Sequence, residues 1–77
     1  MAEDINITFC RRLLSHVHED VRKRLPGVDV RKAAWVYRVG MQYEFHGPDG
    51  FYWHGRAHNA YEARAKGWNS WLDRIEA

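Results

Sequence analysis

The tetrapeptide Gly47-Pro48-Asp49-Gly50 separates two runs, 41–46 and 51–56, in which aromatic and polar residues alternate. Alternation at period two marks a strand with one buried face, and a turn between two such strands marks a β-hairpin. Pro48 presets φ for the first corner of a type I turn, Asp49 suits the second, and Gly50 supplies the positive φ of a closing bulge. A loop of Pro48, Asp49 and Gly50 sets Gly47 against Phe51, His46 against Tyr52, Phe45 against Trp53 and Glu44 against His54. A slip of one residue would exchange the faces. With Asp49-Gly50 alone as the loop, Glu44 and His46 would join Trp53 on one face and bury a charge without a partner. The first register is therefore expected. It gives an inner face of Met41, Tyr43, Phe45, Phe51 and Trp53, and an outer face of Gln42, Glu44, His46, Tyr52, His54 and Arg56.

The flanking segments read as two helices and a further strand. Phe9, Leu13, Val17, Val21 and Leu25 recur at four-residue steps, with Cys10 and Leu14 widening the stripe, which predicts an amphipathic helix over 6–25. Asn6 or Thr8 caps its start, and Pro26-Gly27 ends it. A polar connector over 28–32 leads to the β-branched and aromatic run 33–39, the first strand. Asn59-Ala60-Tyr61-Glu62 is a variant capping box, in which Asn59 caps and Glu62 reaches back to its N–H, opening a helix over 59–75. Trp68, Trp71, Leu72 and Ile75 form its apolar face, with Ala60, Ala63 and Gly67 at the edge where the sheet comes close. Gly67 costs about 1 kcal/mol against Ala in a helix interior, so close packing beside Trp68 is expected to compensate. The tryptophans, Trp35 included, fall on inward faces, but a core this small leaves at least one partly exposed as an interface anchor. The expectation is one α+β domain over 1–77, in the order α-β-β-β-α, with a three-stranded antiparallel sheet packed against two helices.

Composition narrows the function. A chain of 77 residues holds one modest core, and 45% apolar with 14% aromatic residues is too rich for a disordered segment. The single cysteine, Cys10, cannot form an internal disulfide. The start Met1-Ala2-Glu3-Asp4 lacks the basic and apolar regions of a signal peptide, and no apolar run approaches the roughly 20 residues of a membrane span. A reducing, cytoplasmic setting without a membrane partner is expected. The net charge of +2 permits a nucleic-acid partner without demanding one.

No catalytic constellation emerges. Cys10 lies on the apolar stripe, Ser15 and Ser70 lie on helices without an activating motif, and Gly47 and Gly50 serve a hairpin rather than a phosphate loop. His16 and His18 point to different sides of their helix and read as solvated. Glu44, His46 and His54, with His58, lack zinc-ligand spacing. Neither a metal, a cofactor nor an enzymatic activity is expected. Two features carry information. One is the outer hairpin face, with His46, Tyr52, His54 and Arg56 beside Glu44, extended by Arg38 from the first strand: a partner-binding surface rich in aromatic and cationic groups. The other is the basic cluster Arg22, Lys23, Arg24, Arg31 and Lys32, which suits phosphates or simply complements a helix end.

The α-β-β-β-α order resembles the double-stranded-RNA-binding domain, with Asn59-Ala60-Tyr61-Glu62-Ala63-Arg64 in the place of that family's Ser-Lys-Lys-x-Ala-Lys. Ala63 and Arg64 match, whereas Ala60 and Tyr61 replace the two lysines that grip phosphates across the groove. A second resemblance rests on Phe51-Tyr52-Trp53-His54-Gly55-Arg56 and on Ala63-Arg64-Ala65-Lys66-Gly67-Trp68-Asn69-Ser70-Trp71-Leu72. These segments look like small phage and mobile-element proteins of the anti-CRISPR inhibitor type, which implies occlusion of a site on a host nucleic-acid-handling complex. The expected function is a non-enzymatic protein-binding module of that kind, acting on a host protein or nucleoprotein complex as a monomer or homodimer. Direct nucleic-acid binding through the basic cluster is the alternative.

Overall fold

The computed structural model describes residues 14–76, which form α1 (Leu14–Arg24), β1 (Trp35–Val39), β2 (Gln42–His46), a 3₁₀ turn (Pro48–Gly50), β3 (Tyr52–Gly55) and α2 (Ala60–Glu76). The α+β class and the α-β-β-β-α order are those expected. The caps Asn6 and Thr8, and the positions of Phe9, Cys10 and Leu13, lie outside the described residues.

Helix α1 stops where its chemistry says it should. The N–H of Leu25 still bonds the carbonyl of Val21 at 2.8 Å, then Pro26 breaks the ladder and Gly27 takes a φ of +85°. The connector that follows is less polar in effect than its sequence. Asp29 Oδ1 accepts the N–H of Arg31 at 3.0 Å and the Asp29 carbonyl accepts that of Lys32 at 2.9 Å. This turn drops Val30 into the core, with Ala34 buried beyond it.

The sheet is antiparallel in the order β1-β2-β3. Gly40, with a φ of +62°, and Met41 link β1 to β2 as a two-residue loop of the type II′ pattern, which sets Val39 against Gln42, Tyr37 against Glu44 and Trp35 against His46. Met41 is thus an exposed loop residue, not an inner-face one. Between β2 and β3 the expected register holds, with His46 opposite Tyr52, Phe45 opposite Trp53 and Glu44 opposite His54. The turn chemistry differs from expectation. Asp49 joins Gly50 at positive φ (55° and 75°), and the N–H of Phe51 bonds the Pro48 carbonyl at 3.0 Å. The extra residue therefore sits on the Gly47-Pro48 side. Two positive-φ residues follow the right-handed strand twist better than a type I turn does, and aspartate tolerates that conformation.

Helix α2 packs across all three strands, and α1 packs on α2. The core joins Val17, Val21, Val30, Ala34, Phe45, Trp68, Trp71 and Leu72. Phe45 is its centre: fully buried, it meets Trp68 edge-on at 5.2 Å between ring centroids and Phe51 at 6.2 Å. Burial of such a side chain contributes roughly 2–3 kcal/mol. Gly67 does relieve a close approach, and the partner it admits is the ring of Phe45. Asn59 caps α2 as expected, its Oδ1 accepting the Glu62 N–H at 2.8 Å. Glu62 reaches one residue further back than the capping box requires and accepts the N–H of His58 at 2.7 Å. Two inward assignments and one outward one fail. Ile75, beyond the last buried turn, is exposed; Trp35 is exposed because its register places it on the opposite sheet face; and His18, read as solvated, is buried.

Candidate partner-binding face

The outer face of the sheet has no helix over it among the described residues, since α2 occupies the inner face and α1 lies behind α2. Strand β1 contributes Trp35, Tyr37 and Val39, β2 contributes Gln42, Glu44 and His46, and β3 contributes Tyr52 and His54. Trp35, Tyr37 and Val39 each keep slightly more than half of their surface in contact with solvent, and Tyr52 nearly half. Side chains this apolar and this exposed, side by side on a rigid sheet, form a contiguous patch of the kind that marks an interaction surface.

The rings are ordered by one another. Tyr37 meets His46 at 5.6 Å, His46 meets Tyr52 at 5.1 Å, and Tyr52 lies tilted over His54 at 5.6 Å. Glu44 stands among them. His46 Nε2 lies 3.2 Å from Glu44 Oε1, and the Tyr52 hydroxyl donates to the same carboxylate. These two hydrogen bonds, His46 first, hold the Glu44 carboxyl below its usual value, while loss of hydration and then the bond to Glu44 push the Tyr52 phenol above its own. At neutral pH the face thus presents an ionised carboxylate ringed by aromatic groups. At its edge His54 Nδ1 lies 3.5 Å from Gln42 Oε1.

The structure brings Glu44, His46, Tyr52 and His54 together as the hairpin register requires. Arg38 is not with them. It pairs with Tyr43, so it belongs to the inner side of the sheet, and its Nε donates to the Gly40 carbonyl at 3.2 Å. Arg56 lies just past β3, where its carbonyl accepts from Lys66 Nζ at 2.9 Å. Trp35, Tyr37 and Val39 complete the face without having been expected there. The signal for them is Gly40-Met41, because a two-residue loop led by glycine fixes the β1–β2 register and with it the side to which β1 turns Trp35.

The basic cluster is dispersed. Arg24 pairs with Glu76 and donates to the Asp20 carbonyl, tying the end of α1 to the end of α2. Arg22, Lys23, Arg31 and Lys32 are exposed on α1 and the connector. His58 pairs with Glu62 at 3.2 Å rather than with Glu44 or the sheet histidines, and among the described residues no three His, Cys, Asp or Glu side chains converge as metal ligands. None of the described helices is long and apolar enough to cross a membrane. Comparison with known protein families, with characterised proteins and with solved structures finds no match to this chain.

Proposed function

We propose that this chain is a non-enzymatic protein-binding module whose docking surface is the outer sheet face, and that the surface takes a protein partner presenting a basic side chain to Glu44. The observation behind this reading is the character of the face: Trp35, Tyr37, His46, Tyr52 and His54 surround an ionised Glu44, and no outward strand position is Lys or Arg. Desolvated aromatic anchors around one polar centre are what interface hot spots consist of. A lysine or arginine from the partner would meet both the carboxylate and the faces of the rings. In the inhibitor reading suggested by the resemblance to phage-type proteins, the occluded site is a basic, nucleic-acid-handling surface of a host complex, to which this face is complementary in charge.

Direct nucleic-acid binding through Arg22, Lys23, Arg24, Arg31 and Lys32 is the second reading, favoured by the exposure of all five cations. It is weakened by the Arg24–Glu76 pair and by the negative charge at the centre of the aromatic face. Capture experiments with the wild-type chain, a Trp35→Ala/Tyr52→Ala variant and a Glu44→Lys variant distinguish the two. The reading expects a defined protein partner to be held by the wild type and released by both variants. Retention by both, with folding intact, would remove the face from consideration. A mobility shift on duplex or single-stranded nucleic acid that weakens steeply with salt would favour the second reading.

A further inference from the structure

Away from the sheet, where the first described turn of α1 meets the first turns of α2, a cleft of about 360 Å³ is lined by Leu14, Ser15, His18, Arg31, Tyr61 and Arg64. His18 is buried to 8% exposure, and its Nε2 has no hydrogen-bond partner among the described residues. A buried polar atom of this kind calls for a missing partner. Every influence on the charge of its imidazole is unfavourable: burial first, then repulsion from Arg22 on α1, Arg64 on α2 and Arg31 on the connector, all of which hold its pKa below the usual value. Arg31 from the connector and Arg64 from α2 line the cleft together with this imidazole. Arg64 is fixed by donating to the Ala34 carbonyl at 3.1 Å, and Arg31 is held at its backbone N–H by Asp29. Tyr61, 71% exposed, stands at the rim.

We propose that this cleft binds a phosphomonoester dianion, seated on Arg31 and Arg64 with His18 as a further donor and Tyr61 placed to stack on the group that carries the phosphate. Two guanidinium forks and an imidazole offer more N–H donors than a carboxylate accepts, and a terminal phosphate supplies three free oxygens. A phosphodiester in a continuous strand has two and carries a single charge, so it satisfies fewer of these donors. The site is separate from the sheet face and does not depend on the function proposed for it.

The test is a titration of the full chain, with its histidine ring carbons labelled for NMR, at constant ionic strength. Inorganic phosphate is compared with chloride, and adenosine 5′-monophosphate with adenosine. A bound dianion favours the imidazolium, so phosphate is expected to move the His18 resonances saturably and to raise its titration midpoint, with the monophosphate acting at lower concentration. Arg31→Ala, a change at an exposed side chain, is expected to weaken phosphate about tenfold, the loss of one charge-assisted hydrogen bond. A His18 response no greater with phosphate than with chloride would overturn the proposal. So would adenosine acting as strongly as its monophosphate, or unchanged phosphate binding in the Arg31→Ala chain.

Discussion

Gly67 on α2 and Phe45 on β2 are matched so closely that a Cβ added to the glycine would overlap the phenyl ring, 2.6 Å from Cδ1 and nearer still to two other ring carbons. Phe45 is fully buried and braced by Trp68 and Phe51, so it has nowhere to withdraw. Helix propensity alone would make Gly67→Ala stabilising by about 1 kcal/mol. The contact reverses the sign: forced repacking costs roughly 1–3 kcal/mol or more. Urea denaturation is expected to show a lower midpoint for Gly67→Ala, with part of the loss recovered when Phe45→Leu is added. An unchanged or raised midpoint would mean that the helix and sheet have room to separate.

The entry to α2 depends on Asn59, whose Oδ1 accepts the Glu62 N–H, while the Glu62 carboxylate accepts the His58 N–H and lies 3.6 Å from Lys66 Nζ. Asn59→Ala leaves a helix donor unpaired and is expected to cost about 1 kcal/mol. Thermal melting reads this as a lowered Tm, with Asn59→Asp close to wild type.

How far the sequence discloses this arrangement depends on whether two independent local signals agree. For β2 and β3 they do: alternation and turn length both set Phe45 opposite Trp53, and the structure has that register. For β1 alternation says nothing, because Ala34 and Val36 on one side and Trp35, Tyr37 and Val39 on the other are all apolar or aromatic. Only the Gly40-Met41 loop decides the face, and hydrophobicity alone turns Trp35 inward. The same reason hides half of the candidate site, since aromatic anchors of an interface and of a core are the same residue types. His18 shows the converse limit. It is buried, and it lines one cleft with Arg31 and Arg64 from other segments, a meeting that helical spacing does not encode.

The backbone of Asp49 carries a prediction of its own. A φ of +55° costs a residue with a β-carbon roughly 1 kcal/mol, and a β-branched one more. Asp49→Gly removes that cost but loosens the unfolded chain by a similar amount, so its stability is expected to stay near wild type. Asp49→Val should lower stability by about 1–2 kcal/mol. Chemical denaturation of the two variants side by side checks both values, and an Asp49→Val chain as stable as wild type would argue for a turn that relaxes to negative φ.

The titration of Glu44 tests the polar centre of the outer face. Its folded pKa lies below the ordinary value of 4.5, because hydrogen bonds from His46 and then Tyr52 favour the carboxylate. A depressed acid stabilises the fold above the unfolded pKa, and that contribution disappears as pH falls through the folded value. Side-chain carboxyl NMR is therefore expected to give Glu44 a midpoint below 4.5. His46→Ala should move it up toward the ordinary value, and Tyr52→Phe should do so by less, following the order of the two hydrogen bonds. If a basic side chain of the partner docks on this carboxylate, binding is lost as Glu44 protonates, and Glu44→Gln, which is uncharged at every pH, binds weakly even at neutral pH. A Glu44→Gln chain that binds like the wild type at neutral pH would separate the carboxylate from recognition.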